Sequence, residues 1–467
     1  MLASQLKAAL AQRQHKGTLR ALSLYPASPA PSTSSAATAA QLVDFSSNDY
    51  LSLSSSSTVR DNFVRRVTHA VQSGEPMLGS TGSRLLDGNS DAHEQLEHRL
   101  ASHFRSPSAL LFNSGFDANV SLLSCLPQPG DVVLYDTLVH ASAHEGMRSS
   151  RAQICRSFRH SDPADLEAQL LSLLEPSLDH MPPAKRAAAS ELAQRLKSGR
   201  ANVFVIVEGV YSMDGDICPL PELLEILERL VPNEDCRHVI VDEAHSVGVY
   251  GDAGEGLCVA MGVEEKIAVR LATFGKAFGS SGAAVLCSPL LRHFLINYAR
   301  PLVFSTSMSH HTILSVHCSL DALCDAQQPR RKAQLHTNTR RLIGGLSSIL
   351  HSSSTPAPAW LPAELQAPQL SGLAPSPIVP LLTPYARELA ERLRSKGFLV
   401  RSICYPTVPR GQERVRICVH AENREEDVDG LVRAVQTWSS EVLQQQQPQL
   451  PQKRPANLRK EIDAARL

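Results

Sequence analysis

Ten cysteines are spread over the 467-residue chain without one C-x-x-C pair. That spacing gives neither a disulfide framework nor a zinc-ribbon pattern, and a chain this long buries enough core to need no covalent staples. The thiols are expected to be reduced, with no signal peptide ahead of them. Long apolar runs are missing too: none approaches the ~18 residues that cross a bilayer. Lys+Arg and Asp+Glu both number 46, so no excess of one sign is available to follow a nucleic-acid backbone or an anionic membrane. Aromatics make up only 5%, and none alternate with basic clusters as single-strand binding requires. Neither nucleic acid nor membrane is therefore expected as a partner. The G-x-x-x-x-G-K-[ST] phosphate loop is absent, as is a G-x-G-x-x-G at a strand–helix junction. The Asp and His positions carry no zinc-like spacing, so no metal is expected.

What is present is an alternation of short apolar runs with amphipathic stretches. The runs "ALLFN" (109–113), "DVVLYD" (131–136), "VFVIVEG" (203–209), "HVIVDEAH" (238–245), "IAVRLATFG" (267–275) and "AAVLCS" (283–288) are bounded by turn residues. Such runs read as strands buried on both faces of a mostly parallel α/β sheet. The last ~150 residues change character. There helical stretches flank "PIVPLL" (377–382), "GFLVRSIC" (397–404) and "ERVRICV" (413–419), which predicts a smaller α+β domain. The amino terminus is helical in pattern. Residues 27–40, 176–200 and 351–376 are rich in Pro, Ser, Ala or charge and read as surface insertions.

Polar residues gather where the apolar runs end, the place where open α/β sheets bind ligands. "NSGFDAN" leaves a strand and opens a helix, so the backbone N–H groups near Gly115 suit an anion such as phosphate. His140 ends "DVVLYDTLVH"; Glu208 and Ser212 come at the close of the next run; Asp242 and His245 end "VIVDEAH". A carboxylate at the tip of a buried strand is costly unless paired. Lys276, alone in "TFGKAFG", has three readings: a phosphate-binding lysine, a lysine on a turn, or a reactive amine. The missing P-loop spacing argues against the first. The third needs desolvation or a nearby cation to lower its pKa. Pyridoxal phosphate combines a Schiff-base lysine, an Asp on a pyridinium nitrogen and a phosphate clasp. Asp242 and Lys276, 34 residues apart on successive strands, are placed to hold opposite ends of such a ring.

Taken in order, "FSSNDYLSL", "GSTGSRLLDGNSDAHEQLE", "FNSGFDAN", "EGVYSMDGD", "VDEAHSVGVYG", "TFGKAFGSSGAAVLCS" and "FSTSM" resemble the motifs of the α-oxoamine synthases. These are fold-type I pyridoxal-phosphate enzymes, and the likeness runs from about Leu6 to Val435. It implies a large α/β domain (46–310) with a mostly parallel seven-stranded sheet, after an N-terminal arm and loop (1–45). A smaller α+β domain (311–440) and a flexible tail (441–467) would complete the chain. It also implies roles: Lys276 as covalent anchor and acid–base group, Asp242 on the ring nitrogen, His245 on the phenolic oxygen with Ser212 nearby, and His140 on the ring face. Gly115, Phe116 and Thr273 would hold the phosphate, with Ser305 or Thr306 reaching across from the second subunit of a homodimer. Arg416 would bind the amino-acid carboxylate, and Arg20 and Thr407 match substrate-contact positions. "SGAAVLCS", "YPTVPRGQERVRI" and "LAQRQHKGTLRALSLYP" are most similar to the branch that joins L-alanine to pimeloyl-CoA in biotin synthesis. Glycine- or serine-using branches are the alternatives, and a non-catalytic subunit on the same scaffold would lack Lys276. One departure stands out: Cys404 occupies a position that is usually arginine in bacterial members.

The chain closes on Ala-Arg-Leu after the polar, Pro-containing "QQQQPQLPQKRP". Small–basic–Leu at a flexible end fits a peroxisomal address read by an import receptor. A fluorescent protein fused ahead of residues 440–467 is expected to give punctate import that disappears when the last three residues are deleted. Diffuse fluorescence from both fusions would contradict the address.

Overall fold

Valine, isoleucine and leucine runs form the centre of the molecule. The computed structural model describes residues 1–22, 42–325, 327–350, 358–362, 365 and 372–446. Seven strands make one sheet: β2 (Ser108–Phe112), β3 (Val132–Asp136), β4 (Ile154–Phe158), β5 (Val203–Glu208), β6 (Arg237–Asp242), β7 (Val269–Thr273) and β8 (Ala283–Cys287). Their spatial order is β2-β8-β7-β6-β5-β3-β4. β8 runs antiparallel to both neighbours, and the other pairs are parallel. Every residue of β5, β7 and β8 is buried, as a sheet covered on both faces requires. β3 pairs with β4 on one side and β5 on the other, so the chain reverses its direction of travel across the sheet there. A crevice at the carboxyl ends of strands beside such a reversal is where this architecture binds ligands.

Helices cover the sheet. α4 (Gly115–Cys125) begins at Ser114, whose Oγ accepts the Asp117 N–H at 3.0 Å, an ordinary N-cap. α5 (Ala141–Arg148) starts directly after His140. α8 (Leu220–Leu230) buries Leu220, Leu223, Leu224, Ile226 and Leu227, one apolar stripe at helical spacing. The N-terminal helix, Leu2–His15, forms as its pattern predicts but buries no residue.

The smaller unit holds an antiparallel sheet of β9 (Ile378–Leu382), β11 (Arg401–Ile403) and β12 (Arg414–Cys418), in the order β11-β12-β9. A short parallel pair joins β1 (Val43–Asp44) to β10 (Phe398–Leu399). Through this pair, and through Cys418 N–H to Phe45 O and Ala421 N–H to Tyr50 O (both 2.8 Å), the segment 43–50 is laid along the small unit. It enters the large one at Tyr50. The helix His310–Cys324 begins where the small domain was expected, yet Asp321 bonds Arg66 and Arg99 and Ser319 bonds the Phe278 carbonyl, so it packs on the large unit.

One strand is missing from the apolar runs of the sequence, and one further reading changes. β4 carries no continuous apolar run: its alternate residues Cys155 and Ser157 are exposed. Residues 176–200, read as a surface insertion, hold the helix Pro183–Lys197, whose Leu192, Ala193 and Leu196 are buried. The stretch 27–40 and most of 351–376 lie outside the described residues, although Trp360 forms a bridge to Leu382. Among the described residues no helix is long and apolar enough to cross a membrane.

Candidate active site

A cavity of about 360 Å³ opens at the carboxyl ends of β3, β5, β6 and β7. Each strand contributes the polar residues at or just past its carboxyl end: His140, Glu208, Asp242 with His245, and Thr273 with Lys276 line it. Gly115 and Phe116, at the first turn of α4, and Asn48, from the segment along the small unit, complete the wall.

Lys276 lies beyond β7, and its ammonium is drawn out of water. Burial pushes its pKa down to about 8; Asp242 and Glu208 oppose that shift and Arg416 adds to it. Glu208, 4% exposed at the tip of β5, is pushed up to about 8 by burial and by the neighbouring Asp242 charge. Its Oε1 has no hydrogen-bond partner. Asp242 stands opposite Glu208 across the β5–β6 ladder. One Asp242 oxygen accepts from Asn119 Nδ2 at 2.8 Å and the other from the Ala244 N–H at 3.0 Å.

The two histidines are oriented by different networks. At His140, Nδ1 accepts the Ser142 N–H at 3.2 Å and lies 2.7 Å from Ser142 Oγ. Its proton therefore sits on Nε2. Asn119 Nδ2 donates at 3.0 Å to the same Ser142 Oγ, so Asn119 ties the His140 turn to Asp242. Burial lowers the His140 pKa, Asp242 works against that, and Lys276 reinforces it. His245 is held well below the usual imidazole range by burial and by the Lys276 and Arg416 charges, so it is neutral. Its Nδ1 lies 2.6 Å from the buried Tyr50 hydroxyl. The Tyr50 hydroxyl also lies 3.3 Å from Asn48 Oδ1; with its proton assigned to the shorter contact, the one to Nδ1, His245 Nε2–H is left as a donor.

The other end of the cavity suits an anion. Thr273 Oγ1 is buried with no partner. A Cβ on Gly115 would meet Thr273 Cγ2 at 2.6 Å, so only glycine lets the helix start approach that hydroxyl. The first N–H groups of α4 have no partner within the helix. A lysine of depressed pKa, a half-satisfied carboxylate, an N–H donor on His245 and this anion cradle together fit pyridoxal phosphate.

The family model for aminotransferases of class I and II matches residues 40–435. The chain belongs to this family. It is 40% identical over 439 residues to the 8-amino-7-oxononanoate synthase of Emericella nidulans, covering 94% of this chain and 96% of that one. It is 33% identical to the aminoacyl transferase sphA of Byssochlamys spectabilis, over 86% of this chain and 82% of that one. Among solved structures, a serine palmitoyltransferase of Sphingomonas wittichii matches with TM-score 0.68 and 25% identity, covering 85% of this chain and 86% of that one. The 8-amino-7-oxononanoate synthase of Francisella tularensis shares the fold at TM-score 0.62 and 22% identity, over 86% and 99% of the two chains. The chain is thus a pyridoxal-phosphate-dependent acyltransferase of the α-oxoamine synthase type.

Lys276, Asp242, His245, His140, Thr273, Gly115 and Phe116 all meet at the cavity. Other expected site residues do not line it. Arg416 is buried behind Asn48 and donates Nε to the Ser212 carbonyl at 2.6 Å, so Ser212 enters through its backbone. Ser305 and Thr306 are exposed and joined to the wall by Asn113 Nδ2, 2.7 Å from Thr306 O. Thr407 is exposed on the turn closed by its N–H to Cys404 O, and Arg20 is exposed beyond the N-terminal helix. Nothing in the residue order assigned a role to Asn48, Tyr50 or Ser142. Asn119 went unassigned as well, though it was visible as the residue one helical turn after Gly115, on the same face.

The lysine can be titrated directly. In the cofactor-free protein, amine-selective labelling of Lys276 is expected to rise with a midpoint near pH 8, below the ~10.4 of a free lysine. Because folding lowers this pKa, the unfolded chain holds the proton more tightly. The stability penalty is full below pH 8 and fades toward pH 10. A labelling midpoint above pH 10 would contradict the desolvated setting.

Proposed function

We propose that this enzyme is an 8-amino-7-oxononanoate synthase of biotin biosynthesis. It would condense L-alanine with pimeloyl-CoA, releasing coenzyme A and carbon dioxide. The observation that carries the reading is the 40% identity spanning nearly the whole of both chains, with the lysine, carboxylate and histidines that the chemistry needs gathered at one cavity. Bound pyridoxal phosphate supplies the electron sink that makes the amino-acid α-carbon acidic.

The protein's share is positioning and proton movement. Lys276 Nζ, with its pKa near 8, is a free base often enough near neutrality to take the α-proton and return it at the end. With the cofactor bound, the open lone pairs of Asp242 would hold a proton on its ring nitrogen. His245 Nε2–H would be a donor to its phenolic oxygen, and His140 would lie against the ring. Thr273 Oγ1 and the N–H groups at Gly115 and Phe116 would hold the phosphate. Arg416 supplies the cation for the amino-acid carboxylate, with its guanidinium aimed by Ser212 and Asn48.

The acyl donor is the finer question. Cys404 borders a cavity of about 540 Å³ that also presents Lys16, Arg387 and Arg410. In this reading these cations would replace the missing arginine charge in meeting an anionic acyl chain. Arg20 and Thr407 belong to the same reading as substrate contacts. The likeness to sphA keeps a second reading alive, with glycine or serine and a different acyl-CoA.

The site is proposed to be completed by a second copy of the chain. Phe304 is 71% exposed and Leu86 76%, on segments joined by Ser307 N–H to Gly82 O. With Phe116, exposed at the mouth of the cavity, they are the large apolar side chains that a partner would cover in this reading. Ser305 and Thr306 follow Phe304 in the chain and would face the partner's phosphate. The peroxisomal address of the tail belongs to the same proposal; it lies outside the described residues.

Purified enzyme is expected to release coenzyme A with a kcat/KM for L-alanine and pimeloyl-CoA at least about tenfold above any pairing of glycine or serine with succinyl-, acetyl- or palmitoyl-CoA. A clear preference for glycine or serine would move the chain to another branch. In sedimentation, the holoenzyme is expected at twice the 50.7 kDa chain mass, whereas a monomer that stays fully active would exclude the shared site.

A further inference from the structure

Behind the active site, outside the cavity, an imidazole is bonded to a carboxylate at each nitrogen. His160 lies just past the end of β4. Its Nδ1 lies 3.0 and 3.1 Å from the two Asp136 oxygens, and its Nε2 lies 3.0 Å from Asp216 Oδ2. Nδ1 donates to Asp136 and Nε2 stands in ion-pair range of Asp216, while carboxylates only accept and a neutral imidazole has a single N–H. Two carboxylates this close on opposite sides of one ring favour the imidazolium. Although burial works against the charge, the bonds to Asp136 and Asp216 raise its pKa to about 10. The third group against the ring is Tyr211, edge-on at 4.4 Å between centroids.

The two carboxylates belong to the two loops that carry site residues. Asp136 is the last residue of β3, four before His140, and its Oδ1 also takes the Leu138 N–H at 2.8 Å. Asp216 closes the tight loop that begins at Tyr211 and Ser212, with Tyr211 N–H on Asp216 O at 3.1 Å. Ser161 doubles the link: its N–H reaches Asp136 Oδ2 at 2.8 Å and its hydroxyl reaches Asp216 Oδ2 at 3.1 Å. It does so with φ at +48°, a left-handed conformation that costs a serine and persists only where the surroundings demand it. From its far side the 211–216 loop is held by the small unit, through Arg414 on Asp214 and Arg416 on Ser212 O.

We propose that His160 is a positioning residue: as an imidazolium locked between Asp136 and Asp216, it sets the turn bearing His140 against the loop bearing Ser212. This rests on the reading of His140 and Ser212 as site residues. A neutral side chain at 160 would leave two carboxylates facing each other across the gap, and the loops would part.

His160→Gln is expected to lower kcat by roughly 10- to 100-fold, the scale of a sub-ångström to 1 Å misplacement. It should also weaken pyridoxal-phosphate binding about tenfold and alter the circular dichroism of the bound cofactor. Adding Asp216→Asn to this variant, which removes the unpaired charge, is expected to restore part of the affinity. Trp438→Phe, a buried change in the small unit, serves as the control: it lowers Tm but leaves kcat intact. Independently of cofactor, ¹⁵N NMR of the histidine-labelled apo protein should show His160 protonated at both nitrogens at pH 8. A neutral His160 at that pH would overturn the proposal. So would a His160→Gln enzyme with unchanged kcat and cofactor dichroism, or one whose losses Trp438→Phe reproduces at equal Tm. If Lys276→Ala retains the cofactor's ~420 nm absorbance of a lysine-bound pyridoxal, the site reading itself fails, separately from the clamp.

Discussion

The site depends on one lysine held out of water beside two carboxylates. Burial depresses Lys276, raises Glu208 and leaves Asp242 half-satisfied, and none of the three can be understood alone. Removing Asp242 would push the lysine further down; removing the lysine would leave two carboxyl groups repelling across one ladder position. The tension is acceptable in a folded protein because a cofactor ring with a basic nitrogen and an electrophilic carbon relieves it. The same desolvation makes the amine a base near neutral pH.

Around this centre the protein builds by hydrogen bonds between distant segments. Asn119 joins Asp242 to Ser142, and so to His140. Tyr50 directs the proton on His245, and Arg416 joins Asn48 to the Ser212 carbonyl. Two of these struts come from the small unit or the segment laid along it. The side of the site near Asn48 and Arg416 is therefore defined only when both units are in place. Orientation of this kind adds little to stability yet controls which nitrogen of each histidine faces the ligand.

Much of this was legible from the residue order. Lys276 and Asp242 stand out as charged residues ending apolar runs, and Gly115 as a glycine opening a helix after a strand. The largely buried strands β2, β3 and β5 to β8 appear as mainly apolar runs because neither face needs many polar residues, although β7 carries the buried Arg270. β4 does not, since its alternate residues Cys155 and Ser157 are exposed. The helix Pro183–Lys197 does not either, because a Lys, Arg and Ala surface hides its three buried residues. Tyr50 and Asn119 lay inside segments already recognised as motifs, but nothing local told a packing residue from a proton-directing one. His160 carried no signal: its partners are 24 and 56 positions away.

The likeness of its motifs to the α-oxoamine synthases supplied the seven-stranded sheet and the part given to Lys276, while the sequence by itself determined the buried strands and the polar residues at their ends. These come from local periodicity and from the cost of placing charge at the end of a buried strand. Only the tertiary structure decided which of those polar ends share a cavity, which nitrogen of each histidine carries the proton, and that Arg416 lies behind Asn48, bonded to it and to the Ser212 carbonyl. These are facts of through-space geometry, set by how β12, the 43–50 segment and the β3 and β5 loops pack together. No spacing along the chain encodes a distance between groups hundreds of residues apart.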